Sequence, residues 1–152
     1  MRKTHVNVLL GLLFTLGLSA CGCSGSSGGA PSGRTFAIKA GTTATTDMVA
    51  AMVQAAPGDV IRFECGYFDL STTLQIINTE DVRIEGCGRD QTVLSFRTAN
   101  SAQGLLIVNV HGITIQDLTV LDAGGNGIEM RGVDHGTLRR VRAMWSSGGG
   151  RA

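Results

Sequence analysis

The chain has 152 residues, of which 43% are hydrophobic and 16% charged, and its 13 basic residues nearly balance its 12 acidic ones. This near-neutral balance gives no sign of a nucleic acid partner. Aromatic residues make up 5% of the chain, with one Trp and one Tyr, and this scarcity argues against stacked aromatic platforms for neutral sugars.

The N-terminal segment has the features of an export signal. Two basic residues precede an apolar run from Val6 to Leu18, which is too short to span a bilayer comfortably. The next residues, Leu18-Ser19-Ala20-Cys21, resemble a bacterial lipobox, and the resemblance implies cleavage before Cys21 and a lipid anchor on its thiol. Gly22 stands where many inner-membrane lipoproteins carry Asp, which favours the outer membrane of the cell envelope. The alternative is an ordinary secreted signal peptide with a chance cysteine.

These features divide the chain into four parts. Residues 1–20 are predicted to be the signal peptide, 21–34 a Gly/Ser-rich tether, 35–59 an N-terminal strand with a capping helix, and 60–152 the rungs of a repeat domain. Removal of residues 1–20 takes away two of the 13 basic residues, which leaves 11 against 12 acidic ones and a formal charge of −1.

One helix is predicted before the repeats, over residues 46–56. Thr45 or Thr46 suits its N-cap, and Pro57-Gly58 ends it. Its apolar stripe has four members: Met48, Val49, Met52 and Val53. Because the first rung of an array has no rung below it, this helix is expected to cover the open end of the apolar core.

The second half of the chain repeats itself by residue class. The pattern from Gly104 to Asn126 recurs from Gly127 to Gly149 at a constant offset of 23 residues. An earlier copy that begins at Leu74 matches Leu105 onward at an offset of 31, which indicates an insertion of eight residues between Cys87 and Gln103. Repeats that share the class of residue at each position, but few identical residues, are typical of units that stack only on their neighbours.

Each unit also shows the alternation of a strand. The residues predicted to face inward are Ile113, Ile115, Leu118 and Val120, and those predicted to face outward are Thr114, Gln116 and Thr119. Short strands that are broken by Gly and Asx turns, with no helical period between them, favour an all-β parallel β-helix. About three rungs are expected, stacked at about 4.8 Å.

Four segments resemble a known family. They are Ala55–Ile61, Val82–Gly88, Thr92–Phe96 and Ile113–Val120, and they are similar to the right-handed parallel β-helix proteins of the pectate-lyase-like superfamily. The resemblance covers residues 46–145 and implies a right-handed parallel β-helix. It does not select a function, because this superfamily includes polysaccharide lyases, hydrolases, epimerases, tail spikes and adhesins.

Cys65 and Cys87 are 22 residues apart, which is close to the length of one rung. Stacked rungs would bring their Cα atoms to about 5 Å, within disulfide range, and export would permit oxidation. Alignment of Ile61 with Val82 instead turns the two cysteines into different columns and favours two buried thiols. Both outcomes stay open. No histidine lies at ligand spacing from either cysteine, so no metal site is predicted.

In the enzymes that this chain resembles, chemistry comes from outward-facing residues. Carboxylates bind Ca²⁺ or act as acid and base, and Arg, Lys or His removes a proton near a uronate. The residues of these types here are Asp117, Asp122, Glu129, Asp134, His111, His135, Arg139, Arg140 and Arg142. The catalytic candidates among them are Asp117, Asp122, Arg140 and Arg142.

A structural interpretation is favoured for the arginines. In the 23-residue register Arg140 stacks over Asp117, and Arg139 stacks over Gln116. Gln116 in turn lies over Glu85 at the 31-residue offset. Such ladders on a solvated face stabilise a sheet by about 0.2 to 1 kcal/mol per pair. His111 and His135 fall at turns, where a polar residue needs no special explanation.

Three functions remain open. The first is a cell-envelope lipoprotein whose β-helix binds or presents polysaccharide without an active site or cofactor. The second is a lyase or epimerase that acts on acidic, uronate-containing polysaccharide, the one case in which Ca²⁺ is expected. The third is an incomplete N-terminal fragment, because the rungs stop without a cap. An uncapped last rung is expected to favour self-association.

Overall fold

The computed structural model describes residues 33–146, which form a parallel β-solenoid of about four turns. The predicted all-β parallel β-helix with one N-terminal helix is confirmed, although it has one turn more than the three expected. The predicted signal peptide, Cys21, most of the tether and residues 147–152 lie outside the described residues.

Ten strands and one helix follow one another along residues 33–146. They are β1 (Thr35–Ile38), α1 (Ala44–Gln54), β2 (Val60–Phe63), β3 (Gly66–Asp69), β4 (Leu74–Ile77), β5 (Glu80–Glu85), β6 (Thr92–Ser95), β7 (Leu105–Val108), β8 (His111–Leu121), β9 (Ile128–Arg131) and β10 (Asp134–Met144). The strand pairings between them are all parallel.

The strands of successive turns lie on three faces. The first face contains β1, β2, β5 and the first halves of β8 and β10. The second face contains β3, β6 and the second halves of β8 and β10, and the third contains β4, β7 and β9. β8 and β10 serve two faces because each bends at a residue with positive φ, Asp117 at 59° and Arg140 at 49°.

The strand register confirms the sequence repeat and locates its insertion. Asp134 pairs with His111, and Arg140 contacts Asp117 at the predicted offset of 23 residues. Between the first and second turns, the offset is 23 residues on the first face, 26 on the second and 31 on the third. Three of the eight extra residues therefore lie in the corner at 86–91, and the other five lie in the corner at 96–104.

Inward side chains form columns along a narrow apolar core. Ile61, Ile84 and Ile115 lie one above another, and all three are fully buried. Turns at a spacing of about 4.8 Å bring equivalent side chains into contact, so the repeat must preserve size and polarity more than identity. The predicted inward residues of β8 are indeed buried. Thr119 is also buried, although it faces outward, because the longer corner covers it and its Oγ1 donates to the Arg89 carbonyl at 2.6 Å.

The helix differs from the prediction in its start and in its buried face. It begins at Ala44, and the N-cap is Thr43, so the predicted N-caps Thr45 and Thr46 are wrong. The buried face consists of Ala44, Met48 and Ala51, whereas Val49 and Val53 of the predicted stripe are exposed. Two alanines at this spacing allow the helix to approach the strands closely, which a valine stripe would not. Met48, which is fully buried in the core cluster, supports the predicted capping role.

Candidate functional site

A column of polar side chains runs up the outer surface of the first face. Its members, one from each of four successive turns, are Arg62, Glu85, Gln116 and Arg139. Arg62 Nε donates to Glu85 Oε1 at 2.6 Å, and Gln116 Nε2 donates to Glu85 Oε2 at 3.2 Å. The predicted stacking of Arg139 over Gln116 and Glu85 is confirmed. We call these four residues, together with the neighbouring Arg83, the arginine ladder.

Sequence reasoning missed the lowest member of this ladder. Arg62 precedes Glu85 by 23 residues, which is the spacing of the later turns. The alignment of Ile61 with Val82 hid this relation. Ile61 pairs with Ile84 instead, so that earlier alignment is wrong by two residues. A uniform register at the spacing of the later turns would have found both Arg62 and the column of isoleucines.

The arginine ladder carries a net positive charge on its outer surface. Its one carboxylate, Glu85, is only 11% exposed and lies 4.0 Å from an Arg83 nitrogen. Arg62 and Arg83 are each more than half exposed. Arg139 is exposed and forms no ion pair within residues 33–146. Three guanidinium groups therefore face solvent around one largely covered carboxylate, an arrangement suited to anions.

Two of the four catalytic candidates meet where β8 and β10 bend. Arg140 Nη2 donates to Asp117 Oδ2 at 2.7 Å, and its Nε donates to the other carboxylate oxygen. The predicted stacking of Arg140 over Asp117 is confirmed. The hydrogen bond from Arg140 lowers the pKa of Asp117, and the same contact raises the pKa of Arg140. A carboxylate held ionised in this way makes a poor general acid.

The other two catalytic candidates have different partners. Asp122 accepts hydrogen bonds from the Ser146 backbone N–H at 2.6 Å and from Arg97 Nε at 3.3 Å. The backbone contact is the largest cause of the lowered pKa of Asp122. Arg142 forms an ion pair with Asp90 at 2.8 Å.

The four catalytic candidates therefore belong to three separate ion-paired groups. Along the extended segment that ends β8, the five residue steps from Asp117 to Asp122 span about 16 Å at 3.3 Å per residue. A lyase needs its carboxylates and its base around one sugar unit. This arrangement does not provide that convergence.

Two further sets of candidates have distinct surroundings. Glu129 accepts hydrogen bonds from Arg131 and Asn126, and the contact with Arg131 is the largest cause of its lowered pKa. The imidazoles of His111 and His135 both lie beside the carboxylate of Asp134, at 3.2 and 3.1 Å. The sequence analysis counted both histidines among the outward-facing residues of catalytic type and then favoured a simple turn position for each. The register that pairs Asp134 with His111 brings all three residues together.

Cys65 and Cys87 form a disulfide with a Cα–Cα distance of 5.4 Å. Both residues are exposed, so the alternative of two buried core thiols is wrong. The bridge joins the first turn to the second at the corner 86–91. In the sequence, the spacing of 22 residues indicated the bridge, whereas the alignment of Ile61 with Val82 argued against it.

No protein-family model, curated protein or solved structure matches this chain. Among residues 33–146, none of the helical structure is long and apolar enough to cross a membrane. The function of the chain is therefore inferred from the geometry and charge of its solenoid surface.

Proposed function

We propose that this protein is a polysaccharide-binding solenoid of the bacterial cell envelope, and that acidic polysaccharide lies along the arginine ladder. The observation that carries the proposal is the exposure of Arg62, Arg83 and Arg139 around the largely covered Glu85. At about 4.8 Å per turn, the three steps from Arg62 to Arg139 spread these charges over about 14 Å of surface. Guanidinium groups pair with carboxylates through two parallel hydrogen bonds, which suits a polymer of uronates.

The separation of the catalytic candidates supports binding without turnover over the lyase or epimerase alternative. Asp117, Asp122 and Arg142 each have a different partner. Binding requires only that cations lie along the polymer, and the ladder meets that requirement. The resemblance to the pectate-lyase-like superfamily supports the same substrate class as an analogy of fold.

The binding proposal is tested by calorimetric titration of the full chain with polygalacturonate and with neutral dextran. We expect binding to polygalacturonate alone, weakening as salt screens the charges. The double variant Arg83→Gln/Arg139→Gln should lose about tenfold or more in affinity, because each charged hydrogen bond contributes about 1.5 kcal/mol.

Arg97→Gln is the matched control, since Arg97 is an exposed arginine that pairs with Asp122 away from the ladder. It should bind polygalacturonate as the unaltered chain does. Equal binding of dextran and polygalacturonate, or an unchanged affinity of the double variant, would contradict the proposal.

We further propose that a lipid on Cys21 anchors the domain to the outer membrane. The lipobox-like sequence supports this anchor, and the Cys65–Cys87 disulfide suits an oxidising compartment outside the cytoplasm. Metabolic labelling with palmitate in a bacterial host should label the chain. Cys21→Ser should abolish the label and release the protein from the membrane fraction, whereas Cys23→Ser should change neither. Retention of the label by Cys21→Ser would rule out this anchor.

A further inference from the structure

The corner between the third face and the first, where β8 and β10 begin, brings two histidines and one aspartate together. Asp134 pairs directly with His111 of the turn below, and His135 follows Asp134 in the chain. His111 Nδ1 lies 3.2 Å from Asp134 Oδ2, and His135 Nδ1 lies 3.1 Å from Asp134 Oδ1. The three ligand atoms all lie within 4.8 Å of one another. We call these residues the histidine cluster.

From this geometry we propose that the histidine cluster binds a divalent transition metal ion of the Zn²⁺ class. Two imidazole nitrogens and one carboxylate are ligands that Zn²⁺ takes, with water in the remaining position. Zn–N bonds of about 2.0 to 2.1 Å place tetrahedral ligand atoms about 3.3 Å apart. The two histidine–carboxylate distances, each to a different oxygen of Asp134, are close to this value. Binding therefore requires the three exposed side chains to rotate until the remaining spacing, now within 4.8 Å, shortens to the same value.

The surroundings of the histidine cluster also favour a cation. Glu80 pairs with His111 from the turn below, and Asp81 Oδ1 lies against Gly112, beneath His135. Within residues 33–146, no Lys or Arg forms an ion pair with Glu80, Asp81 or Asp134. Three carboxylates without a neutralising basic side chain create a negative potential around the two imidazoles.

The ligand set selects among metals. Imidazole suits Zn²⁺, Cu²⁺ and Ni²⁺, whereas Ca²⁺ takes six to eight oxygen ligands. Ca²⁺ is therefore not expected here. Because His111 belongs to β8 and Asp134 and His135 to β10, the ion links the third turn to the fourth. The metal then stabilises the fourth turn, a role that does not depend on the binding of polysaccharide.

The test is a calorimetric titration of the full chain with ZnCl₂, accompanied by NMR of its histidine ring nitrogens. Because Cys21 and Cys23 can bind zinc themselves, every chain in this test carries Cys21→Ser/Cys23→Ser as a common background. The background chain with both histidines should bind Zn²⁺ with a shift of the His111 and His135 Nδ1 signals, and CaCl₂ should cause none. His111→Ala/His135→Ala should lose about tenfold or more in affinity for Zn²⁺ at this site.

Asp134→Asn and Asp90→Asn form a matched pair, since both carboxylates are similarly exposed and each contacts a basic side chain of another residue. The first should weaken Zn²⁺ binding and the second should not. Unfolding in urea without metal should be the same for all variants, which shows that each is folded, and Zn²⁺ should raise the midpoint only where the histidine cluster is intact. An affinity for Zn²⁺ that survives removal of both histidines, or histidine signals that do not move, would show that the cluster is only an ion pair and would overturn the proposal.

Discussion

The first turn of the solenoid and its last described turn differ in what covers the apolar core. At the N-terminal end, α1 covers the core and Met48 is fully buried. In the last described turn, Leu138 occupies the same inward column as Ile61, Ile84 and Ile115, yet it is 52% exposed while those three are buried. The side chain is of the same class in every turn. A residue in a solenoid is therefore buried by the next turn or by a cap, and not by its own turn.

The largest difference in stability is expected between truncation of an apolar side chain under α1 and truncation of one in the last described turn. Met48→Ala should lower the free energy of unfolding by about 4 kcal/mol, because it removes a buried side chain and leaves a cavity under the cap. Leu138→Ala should lower it by less than about 1 kcal/mol, because half of that side chain already faces water. Urea unfolding followed by circular dichroism measures both values. Equal losses for the two variants would show that the ends are equally packed.

The disulfide offers a second contrast, since the Cys65–Cys87 bridge lies in the capped half and no cysteine follows Cys87. A bridge that closes a loop of 22 residues restricts the unfolded chain. Its removal by Cys65→Ser/Cys87→Ser should cost about 3 kcal/mol.

Unfolding in urea, with and without dithiothreitol, checks this value. Dithiothreitol should destabilise the unaltered chain by a similar amount and leave the double variant unchanged. The Cys21→Ser/Cys23→Ser variant is the control, because it retains the bridge, and it should respond to dithiothreitol as the unaltered chain does. If Cys65→Ser/Cys87→Ser is as stable as the unaltered chain, the bridge adds no stability.

An ion pair below the first turn gives the capped end a dependence on pH. The buried carboxylate of Asp59 accepts hydrogen bonds from Arg34 Nη2 at 2.7 Å and from the Ala56 backbone N–H at 2.9 Å. The side-chain hydrogen bond from Arg34 is the main cause that lowers the pKa of Asp59 to about 2, from an ordinary value of 3.8.

Because the pKa of Asp59 is lower in the folded state, its contribution is present above pH 4 and is lost as the pH falls towards 2. Asp59→Asn should destabilise the protein by about 2 kcal/mol at pH 7, since it weakens the hydrogen bonds of a buried group. Between pH 4 and 2, Asp59→Asn should also lose less stability than the unaltered chain does.

Thermal unfolding as a function of pH measures both effects. Asp90→Asn is the control, because Asp90 is exposed, and its pH profile should follow that of the unaltered chain. A profile for Asp59→Asn as steep as that of the unaltered chain would contradict this role.

The sequence predicted the features that repeat more accurately than the features that occur once. The offset of 23 residues predicted the stacking of Arg140 over Asp117, because register follows directly from a constant repeat length. It did not predict the start of α1 at Ala44, because a helix outside the repeats has no neighbouring copy that fixes its face. The histidine cluster depends on two rings and a carboxylate that meet across turns. Periodicity alone gives their register but not the direction in which they point.

The smallest expected effect on stability concerns the fourth turn as an interface. Within residues 33–146, β10 pairs with β8 alone, and Leu138 and Met144 remain exposed beside its free edge. An unpaired strand edge next to apolar side chains favours pairing with a second copy of the chain. Leu138→Glu should therefore reduce any concentration-dependent dimer in sedimentation experiments, while the stability of the monomer changes by no more than about 1 kcal/mol, as for Leu138→Ala.

Val53→Glu is the matched control for this last prediction, because Val53 is an apolar residue of α1 that is 81% exposed at the opposite end. If the fourth turn is the interface, Val53→Glu leaves the dimer intact. If Val53→Glu dissolves the dimer and Leu138→Glu does not, association proceeds through the capped end. The exposed edge of β10 would then be held apart by its charged residues, since Arg139, Arg140 and Arg142 follow Leu138 so closely that two copies of this edge would bring like charges together.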